Sequence, residues 1–194
     1  MILWQVRSIL LLTGISHIGH DKDFLFRPRG FSSVEEHDIT ILENCNEIVK
    51  PEDELWILGD LAMNPQNEKE WDMIFHSINC KNVHYIQGNH DTDYKMDKYD
   101  LEYGFIFEGL ANVLKYSKKY HFYLSHYPTI TGNFDYYKHP VWNLSGHTHQ
   151  KNKFYDNYQC VYNVALDAHN CYPVSIEQII KDIEKERAKY TNEK

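Results

Sequence analysis

Metal-ligand side chains recur in five short polar turns of this 194-residue chain, and each turn follows an apolar run. The turns are Ser16-His17, Gly59-Asp60, Asn89-His90, Ser125-His126 and His147-Thr148-His149. Imidazole nitrogens, a carboxylate and an amide oxygen together suit borderline transition metals such as Zn, Mn, Fe or Ni. No cysteine lies in these turns, so their composition excludes a closed structural site built from thiolates.

The set of candidate metal ligands is larger than one tetrahedral ion requires. Its members are His17, Asp60, Asn89, His126, His147 and His149. Two ions about 3.5–4 Å apart could use all of them if they shared Asp60, as in two-metal hydrolases. Each turn taken alone is also a common surface turn. The prediction of a metal site therefore depends on the turns meeting in space.

Alternating strand and helix patterns along the chain predict where these turns lie. Apolar runs typical of buried strands cover residues 10–12, 55–58, 83–87, 120–124, 141–144 and 160–166. Helices are predicted after the capping boxes at 33–36 and 175–178, and around the apolar positions of 71–78. Ligands bind outside the carboxyl ends of the strands in α/β sheets, so strands in one layer would bring the polar turns together.

Composition predicts a single globular domain over residues 1–194. Hydrophobic residues make up 42% of the chain and charged residues 25%, which excludes a mostly disordered chain, a fibre or a coiled coil. The longest aliphatic run, Ile9 to Leu12, is far short of the roughly 20 residues of a membrane span, so no membrane partner is expected. The N-terminal apolar run is predicted to be a buried strand rather than a signal peptide.

The charge balance and the cysteines limit partners and compartment. The net charge of −8 argues against binding to long nucleic acid, which normally requires a basic face. The four cysteines, at positions 45, 80, 160 and 171, form no Cys-x-x-Cys pair. We interpret them as reduced thiols and expect a cytoplasmic protein.

Four motifs resemble those of the calcineurin-like metallophosphoesterases, in their order and approximate spacing: Gly59-Asp60, Gly88-Asn89-His90-Asp91, Ser125-His126 and Gly146-His147-Thr148-His149. The chain looks most like the small, single-domain prokaryotic and phage members of that family, from about Ser16 to Glu177. The resemblance implies an α/β fold of two packed mixed β-sheets flanked by helices, an α/β/β/α sandwich. It also implies a hydrolase that cleaves phosphate mono- or diesters of a small phosphorylated substrate with two divalent metal ions.

Roles for individual residues follow from the resemblance by matching position. Asp60 would bridge the two ions, His17 and His149 would bind the first ion, and the second would be held by Asn89, His126 and His147. His90 would stabilise the transition state or protonate the leaving oxygen, with help from Asp91.

The first motif departs from the family pattern at Ile15, which stands where the family has the aspartate of Asp-x-His. Isoleucine cannot bind a metal, so the first site is expected to be weakened. A degenerate member that binds a metal or a phosphate ligand with little turnover is therefore the alternative. The poor match of residues 1–15 has two explanations that both stay open, divergence and a frameshift or wrong start in the source gene.

Weaker candidates surround this site in the sequence. Arg27 and Arg29 flank Pro28 in a loop expected to be exposed; either could hold a substrate phosphate, although a solvated loop is the favoured interpretation. His20 would lie at the rim of the site, with a structural role equally open. Asp167 and His169 are expected to stabilise a turn. Tyr127, Tyr136 and Tyr137 could stack on a base or an aromatic leaving group, but packing is the commoner use of tyrosine.

Overall fold

The computed structural model describes residues 8–14, 16–63, 68–129, 140–155 and 160–191. Its strands are β1 (Leu10–Thr13), β2 (Glu54–Leu58), β3 (Asn82–Ile86), β4 (Ile106–Phe107), β5 (Ala111–Lys115), β6 (His121–Ser125), β7 (Trp142–Ser145), β8 (Val161–Asn163) and β9 (Val174–Ser175). Its helices are α1 (Asp23–Phe26), α2 (Val34–Ile48), α3 (Glu68–His76), α4 (Asp93–Leu101) and α5 (Ile176–Thr191), and a 3₁₀ turn covers Leu166–Ala168.

The strands form two mixed sheets. The first sheet has the order β4-β3-β2-β1-β9, in which β9 alone runs antiparallel to its neighbour. The second sheet has the order β5-β6-β7-β8, in which β5 is antiparallel to β6 and the other pairs are parallel. The predicted fold class, two packed mixed sheets flanked by helices, is confirmed.

Side chains alternate between the two faces of the first sheet, and each face packs into its own hydrophobic core. In β2, Leu55 and Ile57 pack towards α2, α3 and α4, whereas Trp56 and Leu58 pack against the second sheet. Both faces of β2 are therefore buried, which explains its continuous apolar sequence. Helix α5 covers part of the core between the sheets with Ile176, Ile179 and Ile183 at helical spacing.

Both predicted capping signals begin helices. The Ser33 hydroxyl accepts the Glu36 N–H at 3.2 Å at the start of α2, while the Glu36 carboxylate accepts the N–H of Ser32. The Ser175 hydroxyl accepts the Gln178 N–H at 3.2 Å at the start of α5. Each serine satisfies a backbone donor that the first helical turn leaves unpaired.

The strand predicted over residues 160–166 is shorter than expected. It ends at Asn163, whose side-chain oxygen accepts the N–H of Ala165 at 3.0 Å and starts the turn that leads into Leu166–Ala168. The predicted first strand is observed as β1, and residues 1–7 lie outside the described part. Among the helices that the structure describes, none combines the length and apolar character needed to cross a membrane. All four cysteines are free thiols.

Candidate metal centre

The site lies where the carboxyl ends of strands from both sheets meet. The turn after β1 is tied to the turn after β2 because the His17 N–H donates to the Asp60 carbonyl at 3.0 Å. In the second sheet, the Gly146 N–H after β7 donates to the His126 carbonyl after β6 at 3.2 Å. A backbone bridge between Gly14 and Ala165 joins the two sheets at this edge. The parallel strand order thus brings the predicted turns together.

Three ligand-type atoms lie close to Nε2 of His126. Its Nε2 atom lies 2.9 Å from Asn89 Oδ1, 3.0 Å from His147 Nδ1 and 3.3 Å from Asp60 Oδ2. Asp60, His126 and His147 form a group whose ligand atoms all lie within 4.8 Å of one another. These distances fit a shared cation, since each atom can direct a lone pair into the same small space.

The other ring nitrogen of His126 fixes its tautomer. His126 Nδ1 lies 2.9 Å from the Leu58 carbonyl oxygen, which can only accept, so Nδ1 carries the proton. In a neutral His126, Nε2 then faces the acceptor oxygens of Asn89 and Asp60 with a lone pair. A cation or a second proton relieves this arrangement. Although burial lowers the pKa of His126, the Asp60 carboxylate raises it above its ordinary value.

A second group of imidazoles surrounds His17, which is 4% exposed. His17 Nε2 lies 3.9 Å from Asp60 Oδ2, and its buried Nδ1 has no hydrogen-bond partner in the described structure. Its ring stacks on that of His149 with centroids 5.3 Å apart. Burial lowers the pKa of His17 to about 2, so the ring is neutral and offers a lone pair. Ile15, on which the predicted weakness of the first site depends, lies outside the described residues.

Asp60 lies between the two groups and is 2% exposed. Its Oδ1 accepts the His90 N–H at 2.9 Å, while Oδ2 faces His126 and His17. Burial raises the pKa of Asp60, but contacts with His126, the His90 N–H and His17 outweigh it and lower the pKa to about 2. The carboxylate is therefore ionised and available to a cation.

Asp91 lies beneath the site and contacts the backbone. Its Oδ2 accepts the N–H groups of Asp60 and Gly88, at 2.7 and 2.8 Å. Burial raises its pKa despite these bonds. The expectation that Asp91 assists the His90 side chain has no contact to support it among the described residues. Asp91 instead joins the turns after β2 and β3.

His90 is exposed, and its ring centroid lies 5.6 Å from that of His17. Its carbonyl accepts Lys95 Nζ at 2.7 Å, and the same ammonium donates to Ala62 O at 2.9 Å. Lys95 is 6% exposed, so a buried charge supports the segment that presents His90. Nothing in the sequence singles out Lys95, because a lysine on a helix usually faces solvent.

Backbone strain and close packing concentrate at this edge. His17, Asp60 and His147 all have positive φ angles, 50°, 55° and 61°, in the left-handed region that non-glycine residues rarely adopt. A Cβ atom on Gly59 would lie 2.3 Å from His126 Nδ1, and one on Gly88 would lie 2.2 Å from Asp60 Oδ1. Strained turns persist where the surroundings over-determine them, and such turns are common in functional sites.

The weaker candidates lie in different surroundings. Arg27 is exposed and pairs with Asp23 at 2.7 Å, so no contact among the described residues joins it to the metal-ligand group. His20 packs edge-on against His17, with centroids 5.5 Å apart. Tyr127 is 50% exposed and its ring lies 4.5 Å from that of His147. Tyr136 and Tyr137 lie outside the described residues.

The expectation of an exposed loop is wrong for Arg29, whose side chain is 1% exposed. Its guanidinium pairs with Asp167, a residue 138 positions away, and Asp167 in turn contacts His149 at 3.3 Å. Burial raises the pKa of Asp167, but His149 and Arg29 outweigh it and hold the pKa well below its ordinary value. The sequence offered no signal for this pair, because neither residue lies in a periodic pattern.

Comparison with known proteins identifies relatives of this chain. No protein-family model matches it. The uncharacterized protein MJ1445 of Methanocaldococcus jannaschii is 30% identical over 189 residues, which cover 93% of this chain and 94% of that protein. The chain belongs to the same family as this archaeal protein. The resemblance to metallophosphoesterases stays a prediction, because this relative is described as uncharacterized.

Solved structures share the fold. The protein of unknown function AQ665 from Aquifex aeolicus matches 90% of this chain and 99% of its own, with a TM-score of 0.66 and 21% identity. A novel archaeal phosphodiesterase matches 79% of this chain and 81% of its own, with a TM-score of 0.44 and 14% identity. The first similarity establishes the two-sheet architecture, and the second is too weak to establish a shared activity.

Proposed function

We propose that this protein is a metal-dependent phosphoesterase that hydrolyses a phosphate ester of a small substrate with two divalent transition-metal ions. Asn89, His126 and His147 would hold one ion and His17 and His149 the other, with Asp60 between them. Mn, Fe, Zn and Ni all suit such a mixed nitrogen and oxygen ligand set.

The strongest support for this proposal is the arrangement of atoms around His126 Nε2. Its Nδ1 is committed to the Leu58 carbonyl, and its Nε2 faces three further ligand atoms within 3.3 Å. A cluster of acceptor atoms around the buried His126 ring is unfavourable unless a cation or a second proton neutralises it. The buried Nδ1 of His17 lies in the same site and has no hydrogen-bond partner among the described residues.

Divalent ions in such a site supply Lewis acidity that polarises phosphoryl oxygens and makes hydroxide available near neutral pH. The residues of the chain would provide the remaining functions. The exposed imidazole of His90 would donate a proton to the oxygen of the leaving group. Asp91 and Lys95 would hold the backbone on either side of His90 in place.

The test measures metal content and hydrolysis together. The protein is stripped of metal with a chelator, titrated with Mn²⁺, and assayed with a generic phosphodiester beside a generic phosphomonoester. We expect two ions per chain and hydrolysis that follows occupancy. Failure to bind any divalent ion, or two bound ions with no hydrolysis of either ester, would contradict the proposal.

A degenerate site with one firmly bound ion is the second candidate. Within the described residues, the histidines and carboxylates close enough to share an ion are Asp60, His126 and His147, whereas His17 Nε2 stands 3.9 Å from Asp60. Ile15 in the first motif favours the same interpretation. One ion per chain at saturating Mn²⁺, with little turnover, would support this candidate over the enzyme.

A further inference from the structure

Asp167 connects a buried arginine to His149. Its two carboxylate oxygens receive a forked pair from Arg29, with Nε 3.1 Å from Oδ1 and Nη2 2.7 Å from Oδ2. The same Oδ2 lies 3.3 Å from His149 Nδ1. The Asp167 side chain is 6% exposed and that of His149 is 41% exposed. The buried Asp167 carboxylate is therefore the fixed partner, and it holds the more exposed His149 ring in place.

The arginine is itself fixed by its surroundings. Arg29 Nη1 lies 2.8 Å from His37 Nε2 and 3.4 Å from the Ser16 carbonyl oxygen. His37 Nδ1 contacts Asp38 Oδ1 at 2.7 Å, and Asp38 Oδ2 accepts the N–H of Gly19 at 2.7 Å. One polar network thus reaches both ends of the turn that carries His17 as well as the side chain of His149. A forked guanidinium pair is rigid in a way that a lysine pair is not.

This contact favours one position for the proton of His149. A carboxylate only accepts hydrogen bonds, so a hydrogen bond across the 3.3 Å contact requires the proton to be on His149 Nδ1. Nε2 then keeps its lone pair and is the atom that can bind a metal. When a ligand histidine donates its other ring N–H to a carboxylate, the hydrogen bond fixes the ring orientation and raises the basicity of the ligating nitrogen.

We propose that Arg29 and Asp167 are positioning residues that hold His149 as its Nδ1–H tautomer, with Nε2 directed to bind a metal ion. This inference rests on the proposed function, because His149 is one of the proposed ligands. Arg29 and Asp167 thereby have a role at the site, whereas the sequence favoured a solvated loop for Arg29 and a turn for Asp167.

The primary test uses the metal-free protein and nuclear magnetic resonance. Long-range ¹H–¹⁵N correlations at a pH of about 8.5, where imidazoles of ordinary pKa are neutral, report the tautomer of each histidine. We expect His149 to be protonated at Nδ1 in the parent protein. A parent protein in which His149 is protonated at Nε2 overturns the proposal without any variant.

Asp167→Asn removes the anion but keeps the shape of the side chain, and its amide can donate to His149 Nδ1. We expect the His149 tautomer to shift towards Nε2–H and the Mn²⁺ affinity of the site formed by His17 and His149 to fall about 10–100-fold. Arg29→Lys keeps the charge but loses the fork, so we expect a smaller shift in the same direction. The Mn²⁺ affinity of the site formed by Asn89, His126 and His147 should be unaffected in both variants.

Asp182→Asn is the matched control. Asp182 is also an ion-paired carboxylate, with Lys153 Nζ at 2.8 Å and the Tyr162 hydroxyl at 2.7 Å. A loss of thermal stability alone is therefore expected in this variant. If Asp167→Asn changes only stability, as the control does, the pair is a structural brace and the positioning role is wrong.

The outcomes separate this inference from the proposed function. One bound ion in the parent protein, with the expected tautomer shift in Asp167→Asn, contradicts the two-metal function and keeps the positioning role. Two bound ions with hydrolysis in the parent protein support the two-metal function. If Asp167→Asn then leaves the His149 tautomer and the Mn²⁺ affinity of the site formed by His17 and His149 unchanged, the positioning role is wrong.

Discussion

His90 reaches Asp60 through its backbone, so its side chain is not needed to hold the proposed bridging carboxylate. The His90 N–H lies 2.9 Å from Asp60 Oδ1, a contact that every residue except proline can make. The imidazole is exposed and makes ring contact with His17. Asp60, in contrast, directs its own Oδ2 towards His126 and His17. Replacement of the two side chains should therefore have different consequences.

We expect His90→Ala to lower turnover about 10²–10⁴-fold, the usual contribution of a general acid, and to leave Mn²⁺ stoichiometry unchanged. Asp60→Asn should lose bound metal because the amide cannot neutralise a dication. The measurement is metal content by atomic spectroscopy beside hydrolysis of the ester that the parent cleaves. Equal loss of metal in both variants would show that this division of roles is wrong.

The turns that carry the site require glycine at two positions because other chain segments come very close. Gly59 has a φ angle of 85°, and an added Cβ would also lie 2.7 Å from the Gly88 Cα. Gly104 shares the left-handed conformation, with a φ angle of 70°, but nothing lies within 4 Å of the position that an added Cβ would take. A comparison of Gly59 with Gly104 thus separates backbone strain from steric collision.

Gly59→Ala and Gly104→Ala should both lose about 1–2 kcal/mol of unfolding free energy from the left-handed backbone. Gly59→Ala should lose more, since its methyl group meets His126 Nδ1, and its Mn²⁺ affinity should fall at least tenfold as His126 moves. Urea unfolding and metal titration of the two variants measure these effects. Equal stability loss and unchanged metal affinity in both would mean that the turn adjusts without displacing His126.

The strands and helices of this fold were more predictable from sequence than the network behind the site. Strand ends and capping serines carry local signals, so the runs that became β1, β2 and β3 and the start of α2 were evident. The pairing of Arg29 with Asp167 spans 138 residues, so no local pattern in the sequence indicates it. Short edge strands such as β4 and β9 lack a periodic pattern and were not predicted.

At the scale of the whole molecule, both sheets present the carboxyl ends of parallel strands at one edge. Asp60 comes from the first sheet, whereas His126 and His147 come from the second. Their proximity therefore depends on the packing of one sheet on the other, through the core that contains Leu58, Leu124 and Leu144. Unfolding and loss of the site should consequently be one event, and groups far from the ligands can set its pH dependence.

His169 is such a group. Its Nε2–H donates to the Asn163 carbonyl at 2.8 Å, at the end of β8, and burial lowers its pKa from 6.5 to about 4. The unfolded chain therefore binds this proton more readily than the folded chain. The stability that the neutral ring preserves is complete above a pH of about 6.5 and is lost as the pH falls towards about 4.

We expect the metal-free parent protein to lose about 1–2 kcal/mol more unfolding free energy between pH values of about 8 and 5 than His169→Gln does. Glutamine can still donate to the Asn163 carbonyl but does not titrate, so the other ionisable groups contribute equally to both proteins and cancel in the comparison. Urea unfolding at the two pH values, in the presence of a chelator, measures this difference. An identical decline in the two proteins would mean that His169 accepts its proton in the folded state as easily as in the unfolded chain.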